Sequence, residues 1–90
     1  MRISEIVQVR TESPSVKTFI LSDKLCSKSS PGQFLMLWIP GIDEIPLSIM
    51  DADNGLVSVS VKQVGDATRH LHGMGAGDMV GVRGPFGNAV

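Results

Sequence analysis

Tyrosine is absent from this 90-residue sequence, cysteine occurs once, and no apolar run is long. Cys26 alone cannot close an internal disulfide, and one thiol falls short of the roughly four that hold an iron–sulfur cluster. A free thiol suits a reducing cytoplasm. The longest unbroken apolar run, Phe34–Ile39, is far below the ~20 residues of a membrane helix. The opening Met1-Arg2-Ile3-Ser4-Glu5 lacks the charged and then apolar regions of a signal peptide. These absences predict a soluble, cytoplasmic chain with no membrane partner.

Charge of one sign is also missing, with 8 Lys and Arg against 9 Asp and Glu and a net charge of -1. With one Trp and three Phe besides, the basic groove and stacking aromatics of an oligonucleotide-binding barrel are not there, and no nucleic-acid partner is expected. An anionic ligand would have to be held by local geometry, such as a helix N-terminus or a nest of backbone N–H groups. His70 and His72 do not make a metal pair, because a two-residue helical step turns side chains about 200° apart, whereas a shared metal favours an i, i+4 spacing. No Cys or carboxylate cluster accompanies them, so no metal is expected. No Ser–His–Asp or paired-carboxylate arrangement has workable spacing, which leaves hydrolytic chemistry without support.

What is present is ordinary globular composition, 42% hydrophobic and 19% charged, punctuated by 10 Gly and 5 Pro. A first strand is predicted over 3–9, with Ile3, Val7 and Val9 on one face and Glu5 interrupting the pattern. Ser13-Pro14-Ser15 turns into a β-branched second strand over 16–21. The polar stretch 22–32 reads as a surface loop. Phe34–Ile39 is apolar on both faces and predicts a central strand covered on each side. A short strand over 45–50 leads to Asp53-Asn54-Gly55, a strong hairpin signal because Asn-Gly supplies the positive φ angles such turns need. Residues 56–64 alternate most cleanly, Val57, Val59 and Val61 against Ser58, Ser60 and Lys62, as in a half-buried antiparallel strand. The one helix is predicted over 66–73, with Asp66 as N-cap and Gly73 as terminator. A last strand over 79–83 precedes Gly84-Pro85-Phe86-Gly87. Trp38 and the methionines are read as core. The pattern predicts an all-β fold, a six-stranded antiparallel Greek-key β-barrel with one short helix.

Four segments in order, Pro31-Gly32-Gln33-Phe34, Pro46-Leu47-Ser48-Ile49, the run from Val61 to Thr68, and Gly84-Pro85-Phe86-Gly87-Asn88, resemble the FAD-binding barrel of the ferredoxin–NADP reductase superfamily. Pro-Leu-Ser-Ile and Val-Lys-x-Val-Gly-x-x-Thr are most similar to the electron-transfer subunit of dihydroorotate dehydrogenase. The resemblance covers essentially the whole chain. It implies that residues 1–90 are one FAD-binding domain, with a nicotinamide-binding domain, absent after residue 88, and an iron–sulfur region belonging to a longer protein. It also implies a catalytic dihydroorotate dehydrogenase subunit as partner.

The resemblance further implies a cofactor site at Pro46, Leu47, Ser48, Lys62, Val64, Gly65 and Thr68. Leu47 would pack on the flavin ring and Ser48 would hydrogen-bond near its reactive nitrogen. Gly65 would let phosphate approach the start of the helix, and the Thr68 hydroxyl would add a donor. The family carries an Arg for the pyrophosphate where this chain has Ile45, which lacks the guanidinium fork. Three readings stay open at that point: the helix holds the diphosphate of FAD, FMN replaces FAD, or the flavin is lost and the barrel is a docking or regulatory module.

Overall fold

The computed structural model describes residues 1–30 and 32–87. Pro31 of the first motif, Asn88 of the last and the boundary expected after residue 88 lie outside the described residues. Six strands, β1 (Arg2–Ser13), β2 (Val16–Ser22), β3 (Phe34–Ile39), β4 (Asp43–Asp53), β5 (Leu56–Lys62) and β6 (Met79–Phe86), close in the order β1-β2-β5-β4-β3-β6. Every pairing is antiparallel. The expected closed antiparallel barrel is therefore what this chain forms. The helix α1 (Asp66–His72) packs against β3, β4 and β5. A 3-10 turn at Cys26–Lys28, within the stretch expected to be loop, packs against β4 and β5. Among the described residues no helix is long and apolar enough to cross a membrane.

The barrel interior is filled by alternate residues of each strand: Ile6, Phe19 and Leu21, Leu35, Leu37 and Ile39, Val57, Val59 and Val61, Val80 and Val82. Leu71 of α1 and Cys26 complete this cluster. The clean alternation of β5 thus does what its pattern predicts. The Asn54-Gly55 turn does too, with φ of 52° and 79° at its two central residues.

Several expectations are corrected. In β1 the inward residues are Ser4 and Ile6, while Ile3 and Val7 face solvent. An irregularity in the β1–β2 ladder between Ile6 and Gln8 shifts the alternation, so that only Val9 of the expected face packs on the core. One extra residue in a strand reverses the facing of all that follows, which a reading of strict period two cannot register. β3 is not covered on both sides, because Phe34, Met36 and Trp38 are half-buried on the outer face. Met1, Met50 and Met79 are likewise exposed rather than core. β1, β4 and β6 run longer than predicted, and β5 stops at Lys62. The N-cap of α1 is Gly65, and Asp66 is its first helical residue.

Burial pushes the Cys26 thiol up to about 12, and the Asp23 carboxylate beside it pushes in the same direction. Since the thiolate is the nucleophile, Cys26 is expected to resist thiol reagents at pH 8 in the folded protein and to react on unfolding. Stoichiometric labelling without denaturant would contradict this.

Candidate functional site

The β4–β5 ladder runs from Asp53↔Leu56 only as far as Ile49↔Val59. Beyond that point β4 remains paired with β3, from Phe34↔Ser48 to Ile39↔Asp43, and β5 with β2, up to Val16↔Lys62. The barrel wall therefore splits between residues 43–48 of β4 and 60–62 of β5, with α1 lying over the divergence. Ile49 donates its N–H to Gln33 O at 3.1 Å, toward β3. Alternation then turns the backbone polar groups of Ser48 and Pro46 into the split. Proline fits this edge because it has no N–H to leave unpaired.

The sequence-predicted residues fall on the two lips of this split. Pro46 and Ser48 lie exposed on the outer face of β4, and Lys62 lies exposed on β5. Leu47 points inward with Ile45 and Ile49 and packs against the core, so its side chain is part of the barrel lining. Ile45 packs there as well, and no cation occupies its place. Val64, 75% exposed, presents an apolar side chain just where the chain leaves β5 for α1.

At the start of α1 the Thr68 hydroxyl accepts from the N–H groups of Val64 (2.9 Å) and Gly65 (3.1 Å) and donates to Gly65 O at 3.1 Å. That hydroxyl is spent on shaping the turn, which corrects the expectation that it is a free donor. The donors left over are backbone N–H groups of Asp66, Ala67 and Thr68, which take no partner among the described residues. Gly65 is extended, with φ of −171°, and a Cβ built on it would meet nothing within 4 Å. Neither backbone conformation nor packing within the chain demands glycine there. Asp66 is exposed, with only a loose 3.8 Å contact to Arg69. The far end of α1 is pinned by Lys17 Nζ donating to His72 O at 2.9 Å and by the buried His72 ring donating through Nε2 to Val61 O at 2.8 Å.

The sequence reading missed the aromatic flank of this lip. Phe34 pairs with Ser48 on one side and with Phe86 on the other, so Phe86, Phe34 and Ser48 form one row across the outer face. The two rings are 5.6 Å apart at their centroids. Arg83 stands 5.9 Å from the Phe86 centroid and is forked onto Glu44, with Nε to Oε2 at 2.8 Å. Hydrogen bonding to Arg83 holds the Glu44 carboxyl below the ordinary range. Both phenylalanines sit in quoted motifs, but only the β3–β6 pairing reveals that they share a face with Ser48. A surface groove of about 280 Å³ lies elsewhere, between Arg10 and Ile20 on one side and Asp51, Asp53 and Leu56 on the other. None of the predicted site residues lines it. Among the described residues no group of three His, Cys, Asp or Glu side chains could hold a metal ion.

No family model matches the chain. It is 45% identical over 86 residues to the probable dihydroorotate dehydrogenase B (NAD(+)) electron transfer subunit of Methanocaldococcus jannaschii, covering 96% of this chain and 30% of that protein. The corresponding protein of Pyrococcus furiosus is 47% identical over 74 residues, covering 82% of this chain and 28% of its own length. The chain thus spans about a third of the curated relatives it matches. Among solved structures it superposes with a TM-score of 0.92 on an NADH-dependent reduced ferredoxin–NADP oxidoreductase studied for flavin-based electron bifurcation, at 30% identity, covering all of this chain and 34% of that one. The cytochrome b5 reductase domain of Ulva prolifera nitrate reductase shares the fold, with a TM-score of 0.78 at 18% identity over 96% of this chain and 40% of its own. The homologues of this chain are electron-transfer subunits of dihydroorotate dehydrogenase B, and its fold is that of the ferredoxin–NADP reductase-like barrels.

Proposed function

We propose that this chain is the flavin-binding barrel of an electron-transfer subunit and holds FAD along the split between β4 and β5. The observation that carries the reading is the split itself. The β4–β5 ladder stops at Ile49↔Val59, and two of the four segments that resemble flavin barrels, 46–49 and 61–68, lie on its two lips. The residues fit such a group. The Ser48 N–H, turned toward the split, and its exposed hydroxyl are placed to hydrogen-bond the flavin ring, with Pro46 beside them and the Phe34 and Phe86 rings flanking. The open space at Gly65 and the three N–H groups behind it suit the diphosphate, with Lys62 and Val64 at the rim. Bound flavin supplies the redox chemistry, and the protein supplies position and electrostatics.

In this reading electrons pass from dihydroorotate oxidation, in a separate catalytic subunit, through FAD and an iron–sulfur centre to NAD. The nicotinamide-binding domain and iron–sulfur region belong to the rest of a longer cytoplasmic protein. FAD added to the purified chain should show a perturbed visible spectrum and measurable binding heat. A spectrum identical to free FAD with no heat would sink the reading.

One observation favours the alternative of a flavin-free docking module: Ile45 packs on the core where the family carries a cation. Ile45→Arg separates the two. Its aliphatic stem can follow the Ile45 path while the guanidinium reaches for water beside α1. A charge-assisted hydrogen bond contributes roughly 1.5–3 kcal/mol, offset in part by lost apolar burial, so FAD affinity is expected to rise by about tenfold above a measurable native value. Binding that appears only in the variant would mark the natural barrel as having lost its flavin.

A further inference from the structure

We infer that the half-buried ion pair between Arg2 and Asp23 positions the flavin lip, by fixing the carbonyl of Gly84 and with it the Phe86 ring beside Phe34 and Ser48. The inference rests on the flavin reading above and concerns residues outside the split.

Arg2 Nε and Nη2 fork onto Asp23 Oδ1 and Oδ2 at 2.8 and 2.9 Å, and the same Nη2 reaches Gly84 O at 2.9 Å. Asp23 is buried, and it also accepts from Ser4 Oγ at 3.2 Å and the Cys26 N–H at 3.0 Å. A buried pair of this kind contributes little net stability relative to apolar residues of equal volume. A guanidinium fork does, however, fix the direction of what it holds.

What it holds needs fixing. The β3–β6 ladder is irregular here, jumping from Phe34↔Phe86 to Met36↔Arg83, so regular strand pairing does not set the segment between. Gly84 has φ of +123°, and a Cβ on it would lie 3.3 Å from both Phe34 O and a ring carbon of Phe86. Only a residue without a side chain fits between the Phe34 backbone and the Phe86 ring, so the path of the chain at Gly84 is tied to both members of the aromatic row. On the far side Gln33 Nε2 donates to Gly87 O at 3.0 Å. Phe86 is thus held between two tethers, and Arg2 is the charged one.

The test is the double variant Arg2→Met/Asp23→Asn, which removes both charges so that neither is stranded. The control is Val82→Ala, a core truncation at the strand position paired with Arg2. FAD affinity by calorimetry, thermal midpoint, and amide exchange at Gly84, Phe86 and Gly87 are measured on all three proteins. The double variant should exchange faster at these amides and bind FAD about tenfold more weakly, as expected when the shell supporting a site is loosened. Val82→Ala should lose at least as much thermal stability while leaving affinity and local exchange near native. Unchanged exchange and affinity in the double variant would overturn the inference, as would an equal loss of affinity in Val82→Ala. A native protein that binds no FAD overturns the flavin reading and the ligand half of this inference together, and the exchange data still decide whether Arg2 holds the segment.

Discussion

Gly65→Asp is expected to leave the barrel as stable as before, or slightly more so, while weakening FAD binding by roughly a hundredfold. Aspartate is among the best N-cap residues, and an extended backbone accommodates it. At Gly65 its carboxylate would find open space and would take up the N–H groups at the start of α1. In the proposed site those groups face the diphosphate, so the substitution both fills the donors and sets a negative charge against a negative ligand. Two unit charges about 4 Å apart repel by several kcal/mol near a protein surface, ample for the predicted loss. Stability and affinity thus move in opposite directions, which a merely disruptive substitution does not do. Thermal melts and an FAD titration of the variant check both halves, and undiminished affinity would place the diphosphate elsewhere.

Asp23→Ala is expected to destabilise the fold by about 3 kcal/mol, because breaking one side of a buried pair strands the other. Arg2 keeps partial access to water, its side chain being 33% exposed, which holds the loss to the lower end for such sites. Ser4 and the Cys26 N–H lose an acceptor as well. The native pair also sets a pH dependence. Burial raises the Asp23 carboxyl, but hydrogen bonds from Arg2 and the Cys26 N–H outweigh it and leave the carboxyl below its ordinary value. A carboxyl depressed in the folded state contributes stability above its unfolded pKa of about 4. That contribution is lost as pH falls through the folded value. Denaturant melts from pH 7 to pH 2 should show the native protein losing stability below about pH 4, and Asp23→Ala losing less over the same range. Parallel curves would contradict this assignment.

How far the sequence told this in advance varies by element. The alternation of Val57, Val59 and Val61 and the Asn54-Gly55 turn are local signals with local causes, and both hold in the structure. The lips of the split were legible as motifs, although no pattern in them shows that the β4–β5 ladder ends at Ile49↔Val59. Leu47 was read as facing the flavin, and period two from the core-facing Ile49 already puts it inside. The facing of β1 was lost at its irregularity near Val7, where counting by twos fails. Arg2 and Asp23 are separated by 21 residues, and no local pattern joins them. Phe34 and Phe86 meet only because β6 closes the barrel against β3.

The central claim is that a flavin lies along the split between β4 and β5, and titrating FAD into the isotope-labelled native protein while following its amide resonances tests it most directly. The account predicts saturable shifts concentrated at Ser48, Val64, Gly65, Asp66, Ala67 and Thr68, extending to Phe34 and Phe86. Spectra unchanged at saturating FAD, or shifts confined to the distant groove lined by Arg10, Asp51 and Asp53, would contradict it.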